Sequence, residues 1–371
     1  MSKIYIIYRS FFDMKGEIYT VGGIQTYIRQ LIKVIQERNE VPIVVQFADC
    51  DFHKKYNSID VYGVNVNGLS KEIDKAKALI NFIEKQICDE DMVVFATEDL
   101  FVPTSINKVL AIQHGVGWDI PSHNHFSKRF LFLEVLRKSV GNYIRLKRIK
   151  KLQSLVCVDY NFVNWYRSQV FSNNKNIYPI PNCTEVRRNI IDKEKNVIKI
   201  IFARRFVEFR GTKLFAKVIK KILINYDNVR VTFAGTGPDE SYLKEMFKNY
   251  SEVNFIKYES ENSLEVHEKH HIAIIPTIGS EGTSLSLLEA MASKCAVVAT
   301  NVGGMTNILI DNYNGLLINP NETELYEAID KLIINNRLRE SISENAYITV
   351  SEGFSNKIWE EKWNKVLNQI L

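Results

Sequence analysis

Ile272-Ala273-Ile274-Ile275-Pro276, followed by Ser280-Glu281-Gly282-Thr283-Ser284-Leu285-Ser286-Leu287-Leu288-Glu289-Ala290-Met291-Ala292, is the stretch on which the reading of this chain turns. A short β-branched run reads as a buried strand, a loop holding Pro and Gly ends it, and Thr283 or Ser284 is placed to N-cap the helix that follows. Such a joint puts free backbone N–H groups and the positive end of a helix at the carboxyl edge of a sheet, a place that attracts phosphate. Glu281 lies in the loop and Glu289 about a turn and a half along the helix, so that one carboxylate can face a sugar and the other a ribose. Carboxylates suit hydroxyl groups as acceptors. Out of context, a pair of glutamates is more often a solvated loop residue and a solvated helical one.

Working outward, short β-branched and aromatic runs alternate with segments of helical period along the whole chain, which predicts parallel sheets covered by helices. Strands are expected near 197–203, 229–234, 253–257, 271–275 and 295–299, with helices over 211–225, 239–249, 262–269 and 284–293. A first series is expected at 3–8, 42–47, 61–66, 92–96, 108–113, 154–158 and 176–180. The polar stretch Asn182 to Asn196 interrupts the alternation and has the composition of an exposed connection. The predicted organisation is therefore a Rossmann-like domain over 1–182, a second over 183–354, and a closing helix over 355–371 that carries Ile358, Trp359, Trp363, Val366, Leu367 and Ile370 at near-helical spacing.

A length of 371 residues accommodates two cores of this kind. The net charge of +5 is spread along the chain and gives no nucleic-acid footprint. Five cysteines, odd in number and far apart, match neither a metal pair nor a disulfide framework, and the strand-like Lys3-Ile4-Tyr5-Ile6-Ile7-Tyr8 lacks the features of a signal peptide. A cytoplasmic protein is expected. Arg137 to Lys151 holds seven basic residues and no acidic one, interleaved with Val140 and Ile144 and preceded by Phe130, Leu133 and Leu136. That pattern fits either a solvated helix face or an amphipathic helix against anionic lipid, such as the inner face of a plasma membrane.

The string from Ser280 to Ala292 resembles the Glu-x7-Glu signature of the retaining glycosyltransferases of family 4, down to the closing Glu-Ala-Met-Ala. Other segments agree in order. Ala203-Arg204-Arg205-Phe206-Val207-Glu208-Phe209-Arg210-Gly211 sits where the family has Gly-Arg-Leu, a spacer and Lys-Gly, so Arg204 falls on its arginine and Arg210 on its lysine, the pair that holds the donor diphosphate. Arginine for lysine keeps the charge but turns a point charge into a planar fork. Phe233-Ala234-Gly235-Thr236-Gly237-Pro238 is similar to the family's Gly-x-Gly-Pro turn, Val302-Gly303-Gly304 and Asn314-Gly315-Leu316-Leu317 to two later elements, and Ile177 to Asn182 to its hinge. Asn307 departs from a common Glu. In the first half, Val21-Gly22-Gly23-Ile24-Gln25-Thr26-Tyr27 looks like the Gly-Gly turn that approaches the donor phosphate, and the loop Arg9 to Val21 before it is long enough to help shape an acceptor site. His114, in Ile112-Gln113-His114-Gly115-Val116-Gly117-Trp118-Asp119, matches the histidine facing the reacting sugar or acceptor and is favoured over His123, His125, His267, His270 and His271.

The resemblance implies the GT-B fold: two doubly wound domains facing a central cleft, with the last helix crossing back to the first. It implies a nucleoside-diphosphate sugar as co-substrate, no cofactor and no metal. Arg204, Arg210 and the helix start near Thr283 would neutralise the leaving phosphate, Glu281 would orient the sugar and Glu289 would hold the ribose. His114 would meet the transferred sugar or the acceptor, and Gly22, Gly23, Gly235, Gly282, Thr283, Ser284 and Leu285 would line the donor. The acceptor expected is a glycan or polyprenyl-diphosphate-linked sugar, as in bacterial surface-polysaccharide assembly. Two other readings are a nucleotide-sugar-binding protein that no longer turns over, suggested by Arg210 and Asn307, and a nicotinamide-dependent dehydrogenase. The dehydrogenase reading lacks a Gly-x-Gly-x-x-Gly turn after the first strand.

Overall fold

A computed structural model describes residues 1–20, 22–115, 131–170, 176–279 and 281–371. Contacts divide the described chain into two units, one holding Met1–His114, the described part of Asn124–Ile180 and Glu360–Leu371, the other built on Pro181–Trp359.

The first unit has eight strands, β1 (Lys3–Tyr8), β2 (Val41–Ala48), β3 (Phe52–Tyr56), β4 (Ile59–Asn65), β5 (Met92–Phe95), β6 (Val109–Gln113), β7 (Ser154–Cys157) and β8 (Asn176–Pro179). They lie in the order β3-β4-β2-β1-β5-β6-β7-β8, parallel except for the β3–β4 hairpin. Buried Ile4, Ile6, Val44, Val94, Leu110 and Leu155 show why the central strands read as apolar runs: both faces are covered. The sequence reading misses β3. His53, Lys54 and Lys55 are exposed on this edge strand, so it carries no apolar alternation, and its two-residue turn uses Asn57 and Ser58 at φ 45° and 66°.

The second unit has β9 (Ile198–Ala203), β10 (Val229–Ala234), β11 (Val253–Ile256), β12 (Ile272–Ile275), β13 (Ala296–Thr300) and β14 (Leu316–Ile318), all parallel, in the order β11-β10-β9-β12-β13-β14. The chain winds outward from β9 in one direction and then from β12 in the other. This makes the carboxyl ends of β9 and β12 the point where strand order reverses and a crevice opens. Alternation along β9 serves two cores. Ile198, Ile200 and Phe202 join Phe215, Phe233 and Phe247 on one face, whereas Ile201 and Ala203 meet Leu287, Leu288 and Met291 on the other. Phe202 stacks on Phe215 with centroids 5.4 Å apart. A sheet apolar on both sides must be covered on both sides, and the helices Thr212–Asn225 and Glu322–Ile334 cover the first face while Leu285–Ala292 and Asn336–Gly353 cover the second.

The last helix, Asn356–Ile370, joins the first unit from Glu360 onward. Within that unit Trp363 is fully buried and its Nε1 donates to the Tyr27 hydroxyl at 3.1 Å, while Arg38 Nη1 donates to Asn368 Oδ1 at 2.7 Å. The basic segment forms the end of the helix Leu131–Ile149, where Arg145 pairs with Glu98, Arg148 donates to the Asp99 carbonyl, and Leu136, Val140, Tyr143 and Ile144 are half or more exposed. Phe130, and the side chain of Leu133, lie outside the described residues. No described helix is long and apolar enough to cross a membrane.

Candidate functional site

Arg204 is the first residue after β9, and Thr277 follows β12 by two positions. Their place at the strand-order reversal brings them together: Arg204 Nη1 donates to the Thr277 hydroxyl, which in turn donates to Glu281 Oε2 at 2.9 Å. Arg204 Nη2 reaches Glu281 Oε1 at 2.7 Å and Oε2 at 2.6 Å. Arg210, carried on the short 3₁₀ turn Glu208–Arg210, sets Nη1 2.5 Å from Glu281 Oε1 as an ion pair without hydrogen-bond alignment. Both arginines thus converge on the loop that holds Glu281.

The electrostatics follow from that convergence. Burial would raise the Glu281 carboxyl, but the two guanidinium charges and the hydrogen bonds from Arg204 and Thr277 outweigh it and hold the group down to about 2. For Arg204, burial draws the guanidinium down from its usual value, and Glu281 opposes the shift. Two cations against one carboxylate leave a positive excess at the crevice. Arg204 is almost fully buried while the Arg210 side chain is 29% exposed, so the second arginine has the freer access to an incoming anion.

Glycines let the loops approach. A Cβ on Gly303, which sits at φ +54°, would lie 2.1 Å from the Glu281 carbonyl oxygen, and the neighbouring Gly304 N–H donates to that same oxygen at 2.6 Å. A Cβ on Gly235, at φ +141°, would meet the Arg204 carbonyl oxygen at 2.2 Å. Gly282 packs against Gly304 in the same way. The helix Leu285–Ala292 takes Ser284 as its N-cap residue, and that side chain caps no first-turn N–H, so those donors keep their capacity for a ligand. Thr283 and Ser284 are buried, and Asn182 Nδ2 donates to the Thr283 carbonyl at 2.7 Å, which ties the predicted hinge to this loop. Ser280, the first residue of the quoted string, lies outside the described residues.

Glu289 points elsewhere, to Ser263, whose hydroxyl donates to Oε2 at 2.6 Å. Burial pushes its carboxyl up, against the Ser263 hydrogen bond. Asn314 is structural: its amide holds Ile308, Ile310 and Thr349 together.

In the first unit, Gly22 is the N-cap residue of the helix Gly23–Glu37, and Tyr27, one turn on, meets His114 edge to face at 5.1 Å. His114 directly follows β6, and its Nε2 donates to the Ala96 carbonyl at 2.8 Å. Burial lowers the imidazole to about 4, so it is neutral at pH 7, with the Nδ1 lone pair as acceptor. Val116-Gly117-Trp118-Asp119 beyond it, Val21, and His123 and His125 lie outside the described residues. His267, His270 and His271 are bound to backbone groups or to Thr232 and are structural. The loop after β1 is shaped by buried Gln46, whose amide bonds Phe11, Phe12, Asp13 and Phe47, and by Arg9, which pairs with Glu72 at 2.8 Å and Asp99 at 2.5 Å.

Thr277, Ser263 and the Tyr27–His114 contact escape the sequence reading. Only Thr277 carries a signal that could have been used, since it follows a strand end beside Pro276.

Residues 184–349 match the family model described as glycosyl transferases group 1. An uncharacterized glycosyltransferase of Methanocaldococcus jannaschii is 24% identical over 95% of this chain and 96% of its own length. The capsular polysaccharide biosynthesis glycosyltransferase CapM of Staphylococcus aureus is 26% identical over 43% of each chain. Among solved structures, Anabaena HepE in complex with UDP-glucose superposes with a TM-score of 0.72 over all of both chains at 14% identity, which shows the GT-B fold.

Proposed function

We propose, for a chain whose residues 184–349 match the model described as glycosyl transferases group 1, that it moves a sugar from a nucleoside-diphosphate donor to a glycan or lipid-linked acceptor, with retention of configuration and without a metal. The observation that carries the reading is the cluster of Arg204, Arg210 and Glu281 beside the start of the helix Leu285–Ala292, with one positive charge in excess. A diphosphate fits that excess: Arg210 and the first-turn N–H groups receive it, and the same charges stabilise the phosphate as the glycosidic bond breaks. Glu281, kept ionised by its two arginines, accepts hydrogen bonds from donor sugar hydroxyls, and Glu289 takes the ribose. The acceptor hydroxyl attacks from the face the phosphate leaves and passes its proton to that phosphate, so no enzyme nucleophile is needed. His114, neutral and with no Nδ1 partner among the described residues, receives a hydroxyl of the sugar or acceptor on Nδ1.

Similarity to CapM supports a place in bacterial surface-polysaccharide assembly. The cytoplasmic face of the membrane is the proposed setting, since the helix Leu131–Ile149 exposes Leu136, Val140, Tyr143 and Ile144, with Lys147 and Lys150 exposed near its end. Each such cation contributes about 1 kcal/mol at an anionic surface.

The test is a thermal-shift panel of nucleotide sugars followed by turnover of the one that binds. A ligand at 100 times its Kd adds about 2.7 kcal/mol. Stabilisation by one donor, and loss of its turnover in Arg204→Ala and Glu281→Ala, is expected. Near-normal transfer by either variant removes that residue's role, and binding without hydrolysis or transfer to any acceptor marks a nucleotide-sugar-binding protein instead.

A further inference from the structure

Glu289 is a half-buried carboxylate whose hydrogen-bond partner, among the described residues, is Ser263. Ser263 opens the helix Ser263–Glu268, is 3% exposed, and gives its one proton to Oε2. Its one proton is thus committed to Glu289, and the Tyr258 side chain, just past β11, is a neighbour of Ser263. Burial and the Glu289 charge push the Tyr258 hydroxyl up, against the charge of Arg204. The hydrogen bond that sets the carboxylate is therefore the one from Ser263. With Ser263 on Oε2, the other oxygen of this half-buried carboxylate, Oε1, keeps its lone pairs for a ligand hydroxyl.

We propose that Ser263 is the positioning residue that fixes Glu289 with Oε1 presented to the vicinal hydroxyls of the donor's ribose, so that these two residues together tell a ribonucleotide from a deoxyribonucleotide. The inference rests on the function proposed above. Ser263 works by occupying one carboxylate oxygen: the group cannot rotate, and the remaining lone pairs keep a set direction. A purely structural role, joining two helices, predicts lower stability on removal of the hydroxyl but no change in selectivity.

The measurement is isothermal titration of the full chain with the 5′-diphosphates of uridine, adenosine and guanosine and with their 2′- and 3′-deoxy counterparts. Wild type is expected to bind one ribonucleotide at least about tenfold more tightly than its deoxy forms, the size of one hydrogen bond to a charged group. Ser263→Ala should narrow that ratio to about threefold or less by weakening the ribonucleotide while leaving the deoxy forms unchanged. Ser263→Thr, which keeps the hydroxyl, should restore it. Should Ser263→Ala fail to fold, Ser263→Cys carries the same comparison with a weaker donor. An undiminished ratio in Ser263→Ala or Ser263→Cys overturns the inference, as does a ratio near one in wild type. If no diphosphate binds wild type, the proposed function itself falls and this inference with it, an outcome distinct from binding without selectivity.

Discussion

Both units reverse strand order beside their first strand, and the two reversals are filled in opposite ways. In the second unit, Arg204 after β9 and Arg210 share a single carboxylate, Glu281. In the first unit, Arg9 after β1 is shared by two, Glu72 and Asp99, and also takes the Thr97 hydroxyl. The same topology therefore gives one crevice with a positive charge to spare and one whose cation is already consumed. A doubly wound sheet supplies a place for a ligand at its carboxyl edge, but the balance of charge at that edge decides whether a phosphate is welcome there.

Arg204→Ala breaks the comparison most severely. It removes the bidentate partner of Glu281 and leaves that carboxylate largely buried beside Arg210 alone. Donor turnover should fall by about 10² to 10³, and stability by about 3–5 kcal/mol, read by kinetics and by denaturant melts. An unchanged kcat would mean the cluster is structural, like its counterpart on Arg9.

His114→Ala sharpens the contrast from the other side. It should lower kcat by about a hundredfold, the low end for one positioned proton-transferring group, and leave the Kd of the donor nucleotide as in wild type. A matching loss of nucleotide affinity would place His114 with the diphosphate.

These two residues also show how far the sequence can be read. Arg204, Arg210, Glu281 and His114 were singled out through the resemblance to the family's motifs, and the structure places each of them at a strand end or in a loop before a helix. Five of the six strands of the second unit were legible too, since buried parallel strands read as unbroken apolar runs, whereas the three-residue β14 was not expected as a strand. What could not be read was who partners whom. The partners of Arg9 lie 63 and 90 positions away on separate elements, and those of Arg204 lie 73 and 77 away. Nothing in the sequence near Glu289 points to Ser263, 26 positions earlier, and β3 escaped because an edge strand that faces water needs no apolar period.

Smaller effects follow. Arg210→Ala should weaken donor-nucleotide binding about tenfold with little change in melting temperature, because its side chain is partly exposed, and Arg210→Lys should recover most of that loss, since phosphate accepts a point charge. Gly303→Ala forces a side chain at positive φ into the Glu281 carbonyl and should cost about 1–3 kcal/mol, visible as a lower denaturation midpoint. Mild acid has the least effect, and it discriminates between the units. Burial lowers His267 to about 4, His270 to about 3 and His271 to about 4, all in the second unit, against His114 at about 4 in the first. Each folded imidazole binds protons less readily than the unfolded one at 6.5, so its contribution is full above pH 6.5 and is lost as pH falls toward 4. Glu281 adds a loss only below 4.5, as pH approaches 2. Hydrogen exchange at pH 5 should therefore show the second unit loosening before the first, and equal protection would contradict this.

The most direct test of the account is a crystal structure of the chain soaked with a nucleoside diphosphate that stabilises it. The diphosphate is expected within hydrogen-bond distance of Arg210 and of the backbone N–H groups that open the helix Leu285–Ala292, with Arg204 still joined to Glu281. A diphosphate bound on the first unit beside Arg9, or anywhere that leaves Arg210 on Glu281 and the helix start unoccupied, would contradict it.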